Sequence, residues 1–160
     1  IKKLQDTISK IISDKGPINI LINNAANDER HTIEEVTEEY WDNRVSINLK
    51  HYFFAIQSVQ QSMIDNKDGV IINMGSASWM IGEGGMPGYT ASKSAIVGLT
   101  RGLARDLGKY NIRVNSIVPG NIKTERQIKF WLTPEYKKFI LDNQCLKRQL
   151  VLASSANVLQ

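Results

Sequence analysis

Three short apolar runs, set apart by long helical stretches, limit what this chain can fold into. The runs are Ile18 to Ile22, Val70 to Met74 and Arg113 to Val118. They lack the strict alternation of a half-exposed strand, so they read as strands of a parallel sheet covered on both faces. Between them the periodicity changes. Ile1, Leu4, Ile8, Ile11 and Ile12 recur at helical spacing over residues 1–15, and Gly16-Pro17 ends that helix. Residues 37–65 read as mostly helical, with Thr37 as N-cap, and residues 89–109 as another helix. Lys67-Asp68-Gly69 is a turn, and residues 76–88 form a glycine-rich loop. Residues 121–160 suggest short helical pieces and no clear strand. The order strand, helix, strand, helix, strand predicts an α/β fold, a doubly wound parallel sheet with right-handed crossovers. Residues 1–160 are expected to form one partial domain with no second one.

Composition narrows the function. A length of 160 residues is enough for a real core. The net charge of +4 is spread among acids, with Glu34, Glu35, Glu38 and Glu39 set opposite Arg30 and Arg44, so no nucleic-acid partner is expected. Cys145 is the single cysteine, which excludes an internal disulfide and fits a reducing, cytoplasmic setting. With only His31 and His51 beside it, no ordinary structural zinc site can be assembled. No apolar run approaches the ~20 residues of a membrane helix. The chain opens on Ile1-Lys2-Lys3-Leu4, with neither a signal-peptide core nor an initiator Met, and is expected to start inside a longer protein.

The chemistry concentrates in Ser76-Ala77-Ser78, the glycine-rich loop, and Tyr89-Thr90-Ala91-Ser92-Lys93. Tyr89 and Lys93 are four apart on a helix and share a face. An ammonium beside a phenol favours the phenolate and should lower the tyrosine pKa, fitting it as acid or base for an alcohol/carbonyl pair. Ser76 ends a strand at the carboxyl edge of the sheet, where open α/β sheets bind ligands. A Tyr and a Lys at this spacing are common as surface decoration; their place between a strand ending in Ser and a later strand ending in Pro119-Gly120 is not.

In this context the chain resembles the classical short-chain dehydrogenase/reductase family over nearly its whole length. Asn23-Asn24-Ala25-Ala26 matches the family's Asn-Asn-Ala-Gly segment, with Ala26 departing from the glycine. Asn48, Ser76, Tyr89 and Lys93 match the catalytic tetrad in order and spacing, and Pro119-Gly120 with Ile122 and Thr124 matches the segment at the nicotinamide end. Residues 23–31 and 119–135 are similar to those of bacterial xylose/arabinose/galactose-type dehydrogenases. The resemblance implies a Rossmann-like fold, NAD or NADP as cofactor, an aldose or other secondary alcohol as substrate, and a homotetramer or dimer. It further implies cofactor contacts from Asn24, Tyr89, Lys93, Ile122 and Thr124. The family's first strands, glycine-rich pyrophosphate turn and last strand are missing from the sequence, and "LVLASSANVLQ" at 150–160 does not continue as its last helix and strand should. The resemblance therefore implies that this segment alone is inactive. A 3-oxoacyl thioester reductase and a non-catalytic truncated chain remain as alternatives.

Other residues carry two readings. Asn23 is a cofactor contact or a strand-end turn residue. Asn48, unfavourable in a helix interior, bends the helix through a water and relays protons to Lys93, or is an exposed helix residue. Thr124 is a nicotinamide contact or a helix cap. Asn27, Asn121, Arg126 and Trp131 flank the mouth and could line a sugar pocket, or be loop structure. Ser78 is the alternative to Ser76. Cys145, His31 and His51 are expected to be structural, with no partner placed beside them. Ala91, Ala95, Gly98 and Gly102 put small residues on one helix face, for self-association or for packing on the sheet.

Overall fold

The computed structural model describes residues 1–151. They form two compact units, divided between Val118 and Pro119.

The first unit holds a three-stranded parallel sheet in the order β1 (Ile20–Asn23), β2 (Gly69–Met74) and β3 (Ile112–Ile117). In register, Leu21 lies beside Ile71, Asn23 beside Asn73, and Ile71 beside Val114. These positions share one face, and that face carries the core. Ile71, Ile112 and Val114 pack with Ile8 of α1 (Lys2–Lys15), with Ala55, Ile56, Val59 and Met63 of α3 (His51–Asn66), and with Leu107 of α4 (Pro87–Leu107). Gly69 is required where β2 begins, because an added Cβ would lie 2.7 Å from the Met63 sulfur. On the opposite face Ile20 and Ile22 are 61% and 55% exposed, so full cover on both faces is not seen among the described residues.

The stretch expected to be mostly helical over 37–65 is interrupted. It comprises α2 (Glu38–Val45), a π turn (Ser46–Lys50) and α3. Thr37 caps α2 as expected, its hydroxyl accepting from the Tyr40 N–H. The loop expected at 76–88 holds a 3₁₀ turn over Ala77–Trp79, and α4 starts two residues early, at Pro87, whose missing N–H costs nothing in a first turn.

The second unit contains β4 (Ile122–Lys123), α5 (Glu125–Phe130), α6 (Pro134–Asn143) and β5 (Leu150–Val151). β4 and β5 pair in parallel, which corrects the expectation of no strand after residue 121; two-residue strands are too short to leave a periodic signal. Of the 150–160 segment, residues 152–160 lie outside the described residues. No helix among the described residues is long and apolar enough to cross a membrane.

Candidate active site

The site forms at the carboxyl edge of the first unit's sheet. Ser76 follows β2 closely and caps the 3₁₀ turn. Its hydroxyl accepts from the Ser78 N–H and donates to the Ser78 hydroxyl at 3.0 Å. Ser78 is 5% exposed, whereas Ser76 is half-buried.

Across the loop, α4 brings Tyr89 and Lys93 onto one face, one turn apart. Lys93 is 2% exposed. Its ammonium donates to the Met74 carbonyl at 2.7 Å and to the Tyr52 hydroxyl at 3.2 Å, and lies 5.6 Å from the centre of the Tyr89 ring. Burial pushes the Lys93 ammonium down to about 8. The Tyr89 phenol is pushed up, chiefly by burial, with Asp28 and Glu83 adding to the rise while a hydrogen bond with Ser76 and the charge of Arg30 oppose it. This corrects the expected lowering. The ammonium directs its hydrogen bonds to Tyr52 and Met74, and desolvation outweighs the attraction between cation and phenolate.

Asn48 sits in the π turn, fully buried rather than exposed. Its amide N–H donates to the Arg44 carbonyl at 3.0 Å, and its oxygen accepts from the Asn27 N–H at 2.8 Å. The side chain thus bonds backbone groups of α2 and of the loop after β1 at the break in the helix. Asn23 is also buried. It donates to the Asn73 side chain at 2.9 Å, and Asn73 donates to the Thr100 hydroxyl at 3.0 Å, a polar chain between β1, β2 and α4. Asn24, the next residue, is exposed at the end of β1.

The loop after β1 is tied to the glycine-rich loop. Arg30 pairs with Glu83 at 2.8 Å and donates to the Gly84 carbonyl, and the His31 N–H donates to the Gly85 carbonyl. Arg44 pairs with Glu29 at 2.8 Å. The histidines do have partners, contrary to expectation. His31 Nδ1 meets the Tyr40 hydroxyl at 3.0 Å, and His51 Nε2 meets the Ala25 carbonyl at 3.0 Å. Burial lowers the His51 pKa, the Ala25 and Ile47 carbonyls oppose this, and the charge of Lys93 adds to the lowering. Cys145 is exposed.

In the second unit, Thr124 caps α5 by accepting from the Gln127 N–H at 3.2 Å, and Ile122 lies in β4, half-buried. Asn121 is half-buried beside it. The Arg126 guanidinium lies 5.1 Å from the centre of the Trp131 ring and so covers one of its faces. In the first unit, Asn27 accepts from the Glu29 N–H, the turn role set against its sugar-pocket reading.

The family model described as short chain dehydrogenase matches residues 1–134. The chain belongs to the short-chain dehydrogenase family. Its relatives include the D-xylose 1-dehydrogenase of Caulobacter vibrioides, 44% identical over 91% of this chain and 58% of that protein. A protein named "probable galactose dehydrogenase" in Rhizobium meliloti is 42% identical over 94% of this chain and 59% of its own length. Among solved structures, a gluconate 5-dehydrogenase from Burkholderia cenocepacia, in complex with NADP and tartrate, matches with a TM-score of 0.87 and 25% identity, over 97% of this chain and 62% of that one. The chain therefore spans about three fifths of the length of the relatives it matches. Sequence reasoning passed over Tyr52, whose hydroxyl touches Lys93. It stands four residues after Asn48, one turn further along the same helical path, and that spacing was the available signal.

Proposed function

We propose that this chain carries the catalytic machinery of a nicotinamide-dependent sugar dehydrogenase, acting on an aldose or another secondary alcohol. The observation that carries the reading is the pairing of Tyr89 with the buried ammonium of Lys93, one helical turn apart, beside Ser76 at the carboxyl edge of the sheet. Relatives named for xylose and galactose support a sugar as the substrate. A nicotinamide, when bound, supplies the hydride acceptor or donor.

The residues present suit such a group. Lys93 has three N–H donors, of which two meet the Tyr52 hydroxyl and the Met74 carbonyl, so one remains to meet a ribose hydroxyl. Tyr89 would meet the same ribose; Asn24, Ile122 and Thr124 are our further candidates for cofactor contact. In oxidation Tyr89 takes the substrate hydroxyl proton, Ser76 orients that hydroxyl, and the Lys93 charge favours the tyrosinate that forms. Asn48 supports proton relay by fixing the helix that faces Lys93. A raised phenol pKa means that Tyr89 is protonated at neutral pH, ready to act as the acid in the reductive direction, while oxidation gains as pH rises.

We read residues 1–160 as part of a single dehydrogenase domain, and a homotetramer or dimer as its assembly. Ala91, Ala95, Gly98 and Gly102 are all exposed on α4, which supports self-association over packing on the sheet. The single exposed thiol of Cys145 suits a reducing, cytoplasmic setting.

The test is a steady-state assay of the protein expressed from its own gene, with NAD or NADP, against xylose, galactose, arabinose and a 3-oxoacyl thioester. Sugar-dependent reduction of the nicotinamide is expected. Turnover of the thioester alone would assign the acyl reductase reading, and no turnover with any of them would defeat the proposal.

A further inference from the structure

Lys93 is a buried cation, and a buried ammonium is tolerated only when its donors are met. The Met74 carbonyl, at the end of β2, meets one of them at 2.7 Å. The second goes to a residue that has no role in the proton and hydride transfer. Tyr52 of α3 is fully buried, and its hydroxyl lies 3.2 Å from the Lys93 ammonium. The same hydroxyl donates its proton to the Met74 carbonyl, also at 3.2 Å. The three groups close a triangle in which the tyrosine is donor to the carbonyl and acceptor from the lysine. A phenylalanine would fill the same volume, so packing alone does not require the hydroxyl. The Tyr52 main chain is fixed in turn, since its carbonyl accepts a long bond, 3.5 Å, from the Asn23 amide.

We propose that Tyr52 is a positioning residue, whose hydroxyl, braced on the Met74 carbonyl, holds the Lys93 ammonium in place beside Tyr89. Its meaning for catalysis rests on the dehydrogenase reading; the contact itself does not. The brace spans three elements. It links α3, where the π turn at Asn48 sets the helix path, to the end of β2 and to the first turns of α4. Two of the three ammonium donors are thereby committed away from the cleft, and the third is directed to whatever Lys93 serves there.

The groups facing Lys93 are few. From α3 come the Tyr52 ring, 5.3 Å from the ammonium to its centre, and the imidazole of His51, whose positive charge and that of Lys93 disfavour each other. From α4 comes Tyr89, and from β2 the Met74 carbonyl. Asp28, Glu83 and Arg30 act on Tyr89 from the two loops. Burial and the nearby Tyr89 keep the Tyr52 phenol neutral, so it stays a hydrogen-bonding hydroxyl throughout the range in which Lys93 titrates.

The Tyr52 oxygen stabilises the charged form of Lys93, so its loss should lower the lysine pKa. In Tyr52→Phe, read by NMR of ¹³Cε-labelled lysine with Lys93→Arg as the assignment control, the Lys93 midpoint should fall from about 8 by about one pH unit, the size expected for one hydrogen bond to a charged group. An unmoved midpoint in the folded variant would overturn the inference. If the variant does not fold, the unaltered chain decides: the Tyr52 ¹³Cζ resonance should shift at the Lys93 midpoint, and a flat response would overturn the inference equally. In turnover, Tyr52→Phe should cost kcat/KM for oxidation progressively more as pH rises through the Lys93 midpoint, where the variant's lysine has lost its charge, with KM for the sugar little changed. A uniform loss at every pH would mark a merely structural role and count against the proposal. Failure of the unaltered protein to oxidise any sugar would defeat the dehydrogenase reading, and the lysine titration would still decide the Tyr52 contact.

Discussion

The two long helical stretches of the first unit are built differently. From Glu38 to Asn66 the path is broken by the five-residue π turn at Ser46–Lys50, whereas from Pro87 to Leu107 it runs for 21 residues without interruption. The broken path supplies buried supports: Asn48 bonds Arg44 and Asn27, and Tyr52 braces Lys93. The continuous helix supplies the pair that we propose reacts, Tyr89 and Lys93. A one-turn spacing holds two side chains on one face only while the helix stays regular. A π turn re-aims the residues beyond it and frees a carbonyl that a side chain can satisfy, which is how an asparagine comes to be at home inside a helix.

The largest expected effect lies on the continuous helix. Tyr89→Phe keeps the ring and removes the acid/base group, and should cut turnover by about 10²–10⁴-fold with dinucleotide binding retained. Near-normal steady-state turnover would remove Tyr89 from the mechanism. On the broken path, Asn48→Leu keeps the volume but strands the Asn27 N–H and the Arg44 carbonyl. It should cost about 2–3 kcal/mol in chemical denaturation; an unchanged or more stable chain would mean that the π turn does not depend on Asn48. Where the two paths meet, an added Cβ at Gly88 would lie 3.2 Å from the Arg44 Cβ, so Gly88→Ala should cost about 1–2 kcal/mol. Thermal unfolding measures this, and a neutral result would show that α2 can yield. The smallest effect is at Gly98, where nothing lies within 4 Å. Gly98→Ala should stabilise the dilute chain by about 0.5–1 kcal/mol through helix propensity alone. A destabilised chain would mean that this face packs inside the fold.

The contrast between regular and irregular stretches also separates the legible parts of the sequence from the rest. The regular parts could be read. Apolar runs marked three parallel strands, Gly16-Pro17 closed α1, Thr37 capped α2, and the Tyr89/Lys93 spacing survived into one helix face. The irregular parts could not. The π turn at Asn48 leaves no periodic mark, and one of the two hydrogen bonds made by the Asn48 side chain there reaches a loop residue 21 positions away. The pKa of Tyr89 was read from one neighbour, Lys93, while burial depends on every element around the phenol. Tyr52 stands one turn after Asn48 in the sequence, but its contact with Lys93 depends on where the end of β2 and α4 come to lie.

The central claim is that a hydride leaves substrate carbon for a nicotinamide at the Ser76, Tyr89, Lys93 edge. It is tested most directly with xylose or galactose deuterated at C1, incubated with the protein expressed from its own gene and NAD or NADP. Mass spectrometry of the reduced nicotinamide should show one deuterium from the sugar, and the signal should collapse in Tyr89→Phe. Reduced nicotinamide carrying no deuterium, or labelling undiminished in Tyr89→Phe, would contradict the account.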